Sequence, residues 1–279
     1  MIRRLAFLAA AAAGLAIVPL ASAAYPVPFA AQGGAGLLSK DGLVRFVAVA
    51  ADGGKSTVIR AEGRGDYSTL KTQTIEGSLG IPMITYKGPA GGLFRDGSAF
   101  VVQSTARGAT TRFVILDSRS LEVRDTIELN GTFMFDALSP DGSKLYLIEH
   151  SSADDVEHYV VRALDLTARK LLPGRIADRT QRSWVMQGFP VSRAETSDGG
   201  WVYTLYANPG GYPFVHALNT VRGVAHCVGI PWRASDAGQN GIFNFTLRLK
   251  AGSLAVGPAS GGIYRFVNTK TWKVTKPKS

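Results

Sequence analysis

One acidic loop holds the residues best suited to chemistry. The stretch EHSSADDVEH, residues 149–158, brings two imidazoles and several carboxylates together. Such groups suit a hard or borderline divalent cation, and neighbouring acids can activate a bound water. The spacing matches no EF-hand, HExxH or Cys/His pattern, and the other interpretation is a solvated hairpin tip. The candidate metal ligands are His150, Asp154, Asp155 and Glu157.

Two tryptophans form a second candidate set, because each has an arginine close by. Trp184 follows Arg182 by two residues, and Trp232 directly precedes Arg233. An aromatic ring beside a guanidinium can stack on a sugar ring or hold an acidic group. The other interpretation is that both rings cap the apolar core. Together with His150, these four residues are the predicted partner-binding face.

A repeated pattern predicts the elements that position these residues. A turn that ends in glycine, followed by a run rich in Val, Phe, Tyr and Leu, occurs five times, and its fullest copy is FDALSPDGSKLYLIEH, residues 135–150. Glycine takes the positive φ of a tight turn and aspartate bonds its own backbone, so each copy predicts a hairpin. The five turn glycines, of which the last has lost its aspartate, are Gly42, Gly97, Gly142, Gly199 and Gly252.

A second hairpin follows each of these turns, as in FVILDSRSLEVRDTIEL, residues 113–129. Each repeat therefore comprises four antiparallel strands, and the turn glycines recur every 45 to 57 residues. Four-stranded units at a period of about 40 to 50 residues are typical of propeller blades. We therefore predict an all-β fold, a β-propeller of five four-stranded antiparallel blades.

The quoted segments resemble the repeats of WD-like and YVTN-type β-propellers. The segment WVYTLYANPGGYPFVHALNT, residues 201–220, is similar to that of exported propeller-like proteins of actinobacteria. This resemblance implies a propeller and a binding role, and it transfers no catalytic residue. The predicted domains are a signal peptide at residues 1–23 and one propeller at 24–279. The predicted blades are residues 33–79, 80–131, 132–178, 183–231 and 240–279.

The first 23 residues have the three parts of a secretory signal peptide. Arg3 and Arg4 precede an apolar run that ends at Leu20, and Ala-Ser-Ala then precedes an expected cleavage before Ala24. The apolar run is shorter than the roughly 20 residues that a membrane span needs. We therefore expect a secreted mature chain without a membrane span; a retained N-terminal anchor is the alternative.

Charge and cysteine content narrow the function further. The net charge is +10, and residues 1–23 contribute two of those charges, so eight remain on the mature chain. A secreted basic protein is drawn to anionic partners, and export argues against nucleic acid. Cys227 is the only cysteine, so no disulfide forms within the chain, and its apolar surroundings predict a buried, inert thiol.

Three functions remain open, and one of them, a purely architectural envelope protein, is not distinguished by the sequence from the binding propeller described first here. The first is a secreted, monomeric, non-enzymatic propeller without a cofactor, which binds a protein or an anionic polymer on the face opposite the glycine turns, where loops are longer. The alternative is a metal-assisted hydrolase or lactonase-like enzyme, with one divalent cation at the mouth of the central channel. Asp136 and Asn244 are the clearest polar residues on the predicted innermost strands, and their convergence on one point would favour the enzyme.

Overall fold

The chain folds as a five-bladed β-propeller, which confirms the predicted fold class. Five antiparallel sheets follow one another along the chain. Within the part of the chain that is described, no helix is long and apolar enough to cross a membrane. Arg182, Trp184 and the expected signal peptide lie outside this part. The computed structural model describes residues 29–85, 88, 90–178, 180, 185–208, 210–233 and 241–277.

The first two blades contain strands β1 to β9. Strands β2 to β5 form blade 1 in chain order, and β6 to β9 form blade 2. Strand β1 pairs with β6 on the channel side of blade 2, so that blade has a fifth, innermost strand. The bounds are β1 (Ala30–Ala31), β2 (Leu37–Leu38), β3 (Val44–Ala51), β4 (Ser56–Gly63), β5 (Thr69–Glu76), β6 (Leu79–Pro82), β7 (Ala99–Ser104), β8 (Thr110–Asp117) and β9 (Val123–Asn130).

The remaining three blades follow in the same order. Strands β10 to β13 form blade 3, β15 to β18 form blade 4 and β19 to β22 form blade 5. Strand β14 lies in the range predicted for blade 4, yet it pairs with β12 of blade 3. The bounds are β10 (Phe133–Leu138), β11 (Lys144–His150), β12 (His158–Asp165), β13 (Lys170–Leu171), β14 (Met186–Gln187), β15 (Phe189–Glu195), β16 (Trp201–Ala207), β17 (Phe214–Asn219), β18 (Val224–Gly229), β19 (Phe245–Lys250), β20 (Ser253–Pro258), β21 (Arg265–Asn268) and β22 (Val274–Thr275).

Apolar side chains between consecutive blades form the core. Phe46 of blade 1 stacks on Phe100 of blade 2, with ring centroids 4.3 Å apart. Between blades 3 and 4, the buried Tyr146 hydroxyl donates to the carbonyl of Thr220 at 2.6 Å. Among the described residues, such apolar clusters join blades 1 to 5 in series, and none joins blade 5 back to blade 1. Stacking buries faces that a single blade would expose, which is the physical reason for the repeat.

The glycine turns that connect the first two strands of each blade define one end of the propeller, here called the turn face. All five turn glycines have positive φ, as predicted. In blade 3, Ser139 donates to Asp141 at 2.5 Å and accepts from the amide of Lys144 at 2.9 Å, which fixes the turn. Ser143 also donates to Asp141, and these bonds lower the pKa of that carboxyl to about 2. The opposite end of the propeller is here called the loop face.

Candidate functional site

A pocket of about 480 Å³ opens into the central channel at the turn face. Its volume lies within the range typical of small-ligand sites. Residues from blades 1 to 4 line it, and most of the wall is aliphatic or aromatic, including Phe94, Phe135 and Leu138. Among the described residues, the charged groups that line it are Lys40, Arg95, Asp136, Arg193 and Glu195.

The wall of this pocket contains an ion pair between blades. Arg193 of β15 donates to both the carboxylate and the backbone carbonyl of Asp136 in β10. Its Nε also donates to the Thr204 hydroxyl at 3.1 Å. The two side chains are only 7% and 3% exposed, so each neutralises a charge that would be costly to bury alone. Asp136 therefore ties blade 3 to blade 4.

Lys40 and Arg95 carry the free positive charges at the pocket mouth. Lys40, in the turn of blade 1, lies over Gly97 in the turn of blade 2. Arg95 reaches from blade 2 to Gly199 in blade 4. There Asp198 is bonded by Thr196 and Gly200, which lower the pKa of its carboxyl, and the charge of Arg95 lowers it further. Because Asp136 neutralises Arg193, the charges open to a ligand among the described residues that line the pocket are these two exposed cations and the exposed Glu195.

Asp136 and Asn244 do not converge. Asn244 is exposed at the end of a short 3-10 helix, Gly241–Asn244, just before β19. It does not line the pocket that contains Asp136. The arrangement that would have favoured a catalytic centre on the innermost strands is therefore not formed by these two residues.

His150, a candidate both for partner binding and for metal ligation, lies at the loop face and is enclosed there. Its ring stacks on Phe29 at 5.0 Å and meets Tyr159 edge-on at 5.7 Å. Neither ring nitrogen has a hydrogen-bond partner of good geometry. Burial lowers the pKa of His150 to about 4, and the nearby Arg107 adds to this, so the imidazole is neutral near pH 7.

The other candidate metal ligands follow His150 in the loop between β11 and β12. Asp155 contacts the Nδ1 of His158 at 3.0 Å and accepts its backbone amide at 3.2 Å. Asp154 and Glu157 are exposed. Nowhere in the described ranges do three or more His, Cys, Asp or Glu side chains form a group able to hold a metal ion. In this conformation Asp155 serves as the cap of a hairpin loop.

Of the two predicted tryptophan–arginine pairs, the structure describes only Trp232 and Arg233. The Trp232 ring meets Phe245 at 5.0 Å and Tyr264 at 5.2 Å, both edge-on, and packs on the core between blades 4 and 5. Arg233 is exposed. The ring therefore presents only part of its surface to a partner.

Cys227 lies in a polar cluster inside blade 4. Its Sγ is 3.5 Å from the Nδ1 of His216, and its backbone amide donates to Asp178 at 2.9 Å. Burial raises the pKa of the thiol to about 12, and the charge of Asp178 contributes. The thiol is therefore protonated near neutral pH and a poor nucleophile.

Lys40, Arg95 and Arg193 were not among the residues singled out from the sequence. Lys40 and Arg95 lie in short turns of uniform length, which did not stand out beside the longer loops of the other face. Arg193 did leave one signal, a lone arginine in FPVSRAE, residues 189–195, a strand that faces the channel. A buried cation on an innermost strand implies a buried anionic partner.

Solved structures of other proteins resemble this chain, and one of them, the Dos1 propeller, is a propeller by description. The Dos1 propeller matches with a TM-score of 0.50 and 6% identity, over 87% of this chain and 57% of that one. TolB from Acinetobacter baumannii matches with a TM-score of 0.44 and 12% identity, over 85% of this chain and 52% of that one. The dihydro-heme d1 dehydrogenase NirN matches with a TM-score of 0.49 and 14% identity, over 88% of this chain and 46% of that one. This chain thus spans about half the length of these proteins.

At such identities the likeness extends to the fold alone. No protein-family model matches the sequence, and no curated protein matches it. The five blades define the class of the protein as a β-propeller, and a pocket of mixed charge lies at its turn face.

Proposed function

We propose that this protein is an exported, non-enzymatic β-propeller that binds an anionic partner at the turn-face mouth of its channel. The observation that carries the proposal is the placement of Lys40 and Arg95, from two blades, at the rim of one pocket. Two exposed cations at the rim of the pocket, against one exposed carboxylate, Glu195, favour a ligand with a carboxylate or phosphate group. The excess of basic residues over the whole chain supports the same sign of charge.

The proposed site lies on the face opposite the one that loop length favours. At the loop face, His150 is enclosed by Phe29 and Tyr159 and offers little surface to a partner. At the turn face, by contrast, the pocket is open and its free charges are accessible. The proposed export rests on the signal-peptide pattern of residues 1–23.

Titration calorimetry with two polyanions tests the proposal. Poly-L-glutamate represents an acidic protein surface, and polygalacturonate represents an acidic polysaccharide. The double variant Lys40→Glu/Arg95→Glu changes the net charge by four units at the pocket. The matched control, Lys270→Glu/Lys273→Glu, makes the same change at exposed positions beyond β21. Melting curves verify that each variant is folded. If Lys40→Glu/Arg95→Glu does not fold, the neutral variant Lys40→Gln/Arg95→Gln replaces it.

We expect at least one polymer to bind, and the pocket variant to weaken its affinity about tenfold or more because attraction becomes repulsion. The control is expected to stay within about threefold. The polymer that binds identifies the class of partner. Equal losses in the two variants would reduce the binding to non-specific attraction, and an absence of binding to either polymer would refute an anionic partner.

A further inference from the structure

The first described residues lie along the innermost edge of blade 2, with Phe29 near the loop face. Strand β1 pairs with β6, with Ala30 opposite Pro82 and Ala31 opposite Ile81. The carbonyl of Phe29 accepts from the amide of Met83 at 3.2 Å. The segment thus uses the edge of β6 that the other blades leave without a strand. This arrangement is an addition of a β-strand to an open sheet edge.

Phe29 anchors the same segment between two other blades. Its side chain is only 3% exposed and packs with Met134 and Ile148 of blade 3 and Tyr206 of blade 4. The His150 ring covers one side of it, 5.0 Å away and nearly parallel. The guanidinium of Arg107 lies 5.3 Å from the Phe29 ring. An aromatic anchor with strand hydrogen bonds beside it is the combination that peptide-binding domains use.

A glycine-rich link joins this segment to blade 1. The side-chain amide of Gln32 donates to the carbonyl of Leu79 at 2.9 Å, and the backbone amide of Gly33 donates to the carbonyl of Ala48 at 2.7 Å. Beyond them, Gly34 has a φ of +70°, and no atom lies within 4 Å of where its Cβ would be. Gly34 and Ala35 are exposed. The link has contacts with blade 1, including a bond from Arg45 to the carbonyl of Gly34 at 3.3 Å, while residues 29–32 have their own contacts with blades 2, 3 and 4.

We propose that the loop-face end of the channel is an acceptor site for an extended segment with an aromatic residue, and that residues 29–32 occupy it in cis. The partner that fits this site is the same segment of a second copy of the chain. This inference is independent of the anion site, which lies at the other end of the channel. Exchange between copies requires only that β1 and Phe29 leave and an identical segment enter.

A nicked protein makes the exchange measurable. A protease recognition sequence inserted between Gly34 and Ala35 allows the folded mature chain to be cut in the exposed link. The probe is a fluorescent peptide of residues 24–34, AYPVPFAAQGG. Size-exclusion chromatography shows whether the native fragment stays bound, and fluorescence anisotropy follows its replacement by the probe. Circular dichroism and melting curves follow the fold of the nicked protein.

We expect the cut fragment to remain bound and the probe to replace it over time. A peptide with Phe29→Ala should compete at least tenfold less well than the natural peptide. On the protein, Met134→Ala should weaken probe binding, since it truncates the buried wall against Phe29, whereas the exposed Val221→Ala should not.

Three results would overturn the proposal. The first is loss of the fragment from a nicked protein that keeps its circular dichroism, because the contacts would then not hold the segment. The second is unfolding on cleavage, because the segment would then be an integral part of one cooperative fold. The third is equal competition by the Phe29→Ala peptide, because the aromatic anchor would then have no role.

Discussion

Asp136 and Arg193 form a buried ion pair that joins blade 3 to blade 4 across 57 residues of sequence. Arg193 also holds the backbone carbonyl of Asp136 and the hydroxyl of Thr204. The pair therefore fixes two innermost strands beside the channel as well as balancing charge. It forms part of the polar wall of the turn-face pocket.

Arg193→Met is expected to lower the free energy of unfolding by about 3 to 5 kcal/mol, because it leaves the Asp136 carboxylate buried without its partner. The double variant Asp136→Leu/Arg193→Met removes both charges and should cost less than either single variant. Urea unfolding of the three proteins measures the difference. Single variants within about 1 kcal/mol of the parent would show that the pair does not stabilise the joint.

Ala251→Asn is expected to stabilise the turn of blade 5. Lys250 pairs directly with Ser253, so Ala251 and Gly252 form a two-residue turn, and both have positive φ, 39° and 79°. Such turns favour Asn-Gly, and the gain should be about 0.5 to 1 kcal/mol. Gly252→Ala is the opposite-sign control and should destabilise. Thermal melts that move in the same direction for both variants would contradict this geometry.

Two buried histidines should make the protein less stable in mild acid. Burial lowers the pKa of both His150 and His216 to about 4, against about 6.5 in an unfolded chain. The unfolded state therefore binds more protons between pH 6.5 and 4. Each histidine contributes about 3 kcal/mol above that window, and the contribution is lost as the pH falls through it.

Urea unfolding at pH 7, 5.5 and 4 measures this loss. His150→Phe, which keeps a ring against Phe29, should reduce the pH dependence by about half and leave the part due to His216. Aspartates whose pKa the fold lowers, such as Asp141, add to the slope at the lower edge of this window, so the slope between pH 7 and 5.5 reports the histidines. A free energy of unfolding that stays constant from pH 7 to 4 would mean that neither imidazole is buried in its neutral form.

Removal of divalent cations should leave the fold unchanged. The His150 ring lies between Phe29 and Tyr159, while Asp155 is engaged by His158, so these candidate ligands do not face a common point. We expect superimposable melting curves with and without EDTA, and no stoichiometric metal by elemental analysis. A bound ion that is lost together with a drop in melting temperature would reverse this expectation. Asp154→Ala and Asp155→Ala would then test the loop.

The local pattern of the sequence was sufficient to predict the blades. An Asp-Gly turn such as Asp141-Gly142 indicates a hairpin because two adjacent residues determine its conformation. Four such turns and a fifth that lacks the aspartate predict five repeated blades. Contacts between blades leave a weaker local trace, such as the lone arginine in residues 189–195. The pairing of Asp136 with Arg193, and of β1 with β6, depends on how blades meet in space.

The candidate site shows the same division. Loop length and unusual composition directed attention to residues 149–158, but whether a loop residue is accessible depends on what packs over it. Phe29 lies far from His150 in the sequence and covers its ring in the fold. Lys40 and Arg95 lie in separate repeats, and only the packing of blade 1 against blade 2 brings them to the same pocket.

The most direct test of the proposed function is to determine which face of the propeller a polyanion contacts. The thiol of Cys227 is protonated and unreactive near pH 7, so one introduced cysteine can be labelled selectively. An environment-sensitive dye at Ser197→Cys reports on the turn face, and the same dye at Ser152→Cys reports on the loop face. Both serines are exposed.

Each labelled protein is titrated separately with poly-L-glutamate and with polygalacturonate. We predict a saturable change in fluorescence at position 197 and none at position 152, and we predict that Lys40→Glu/Arg95→Glu abolishes the change. A saturable signal at position 152 alone would contradict the proposed site and return the binding surface to the loop face.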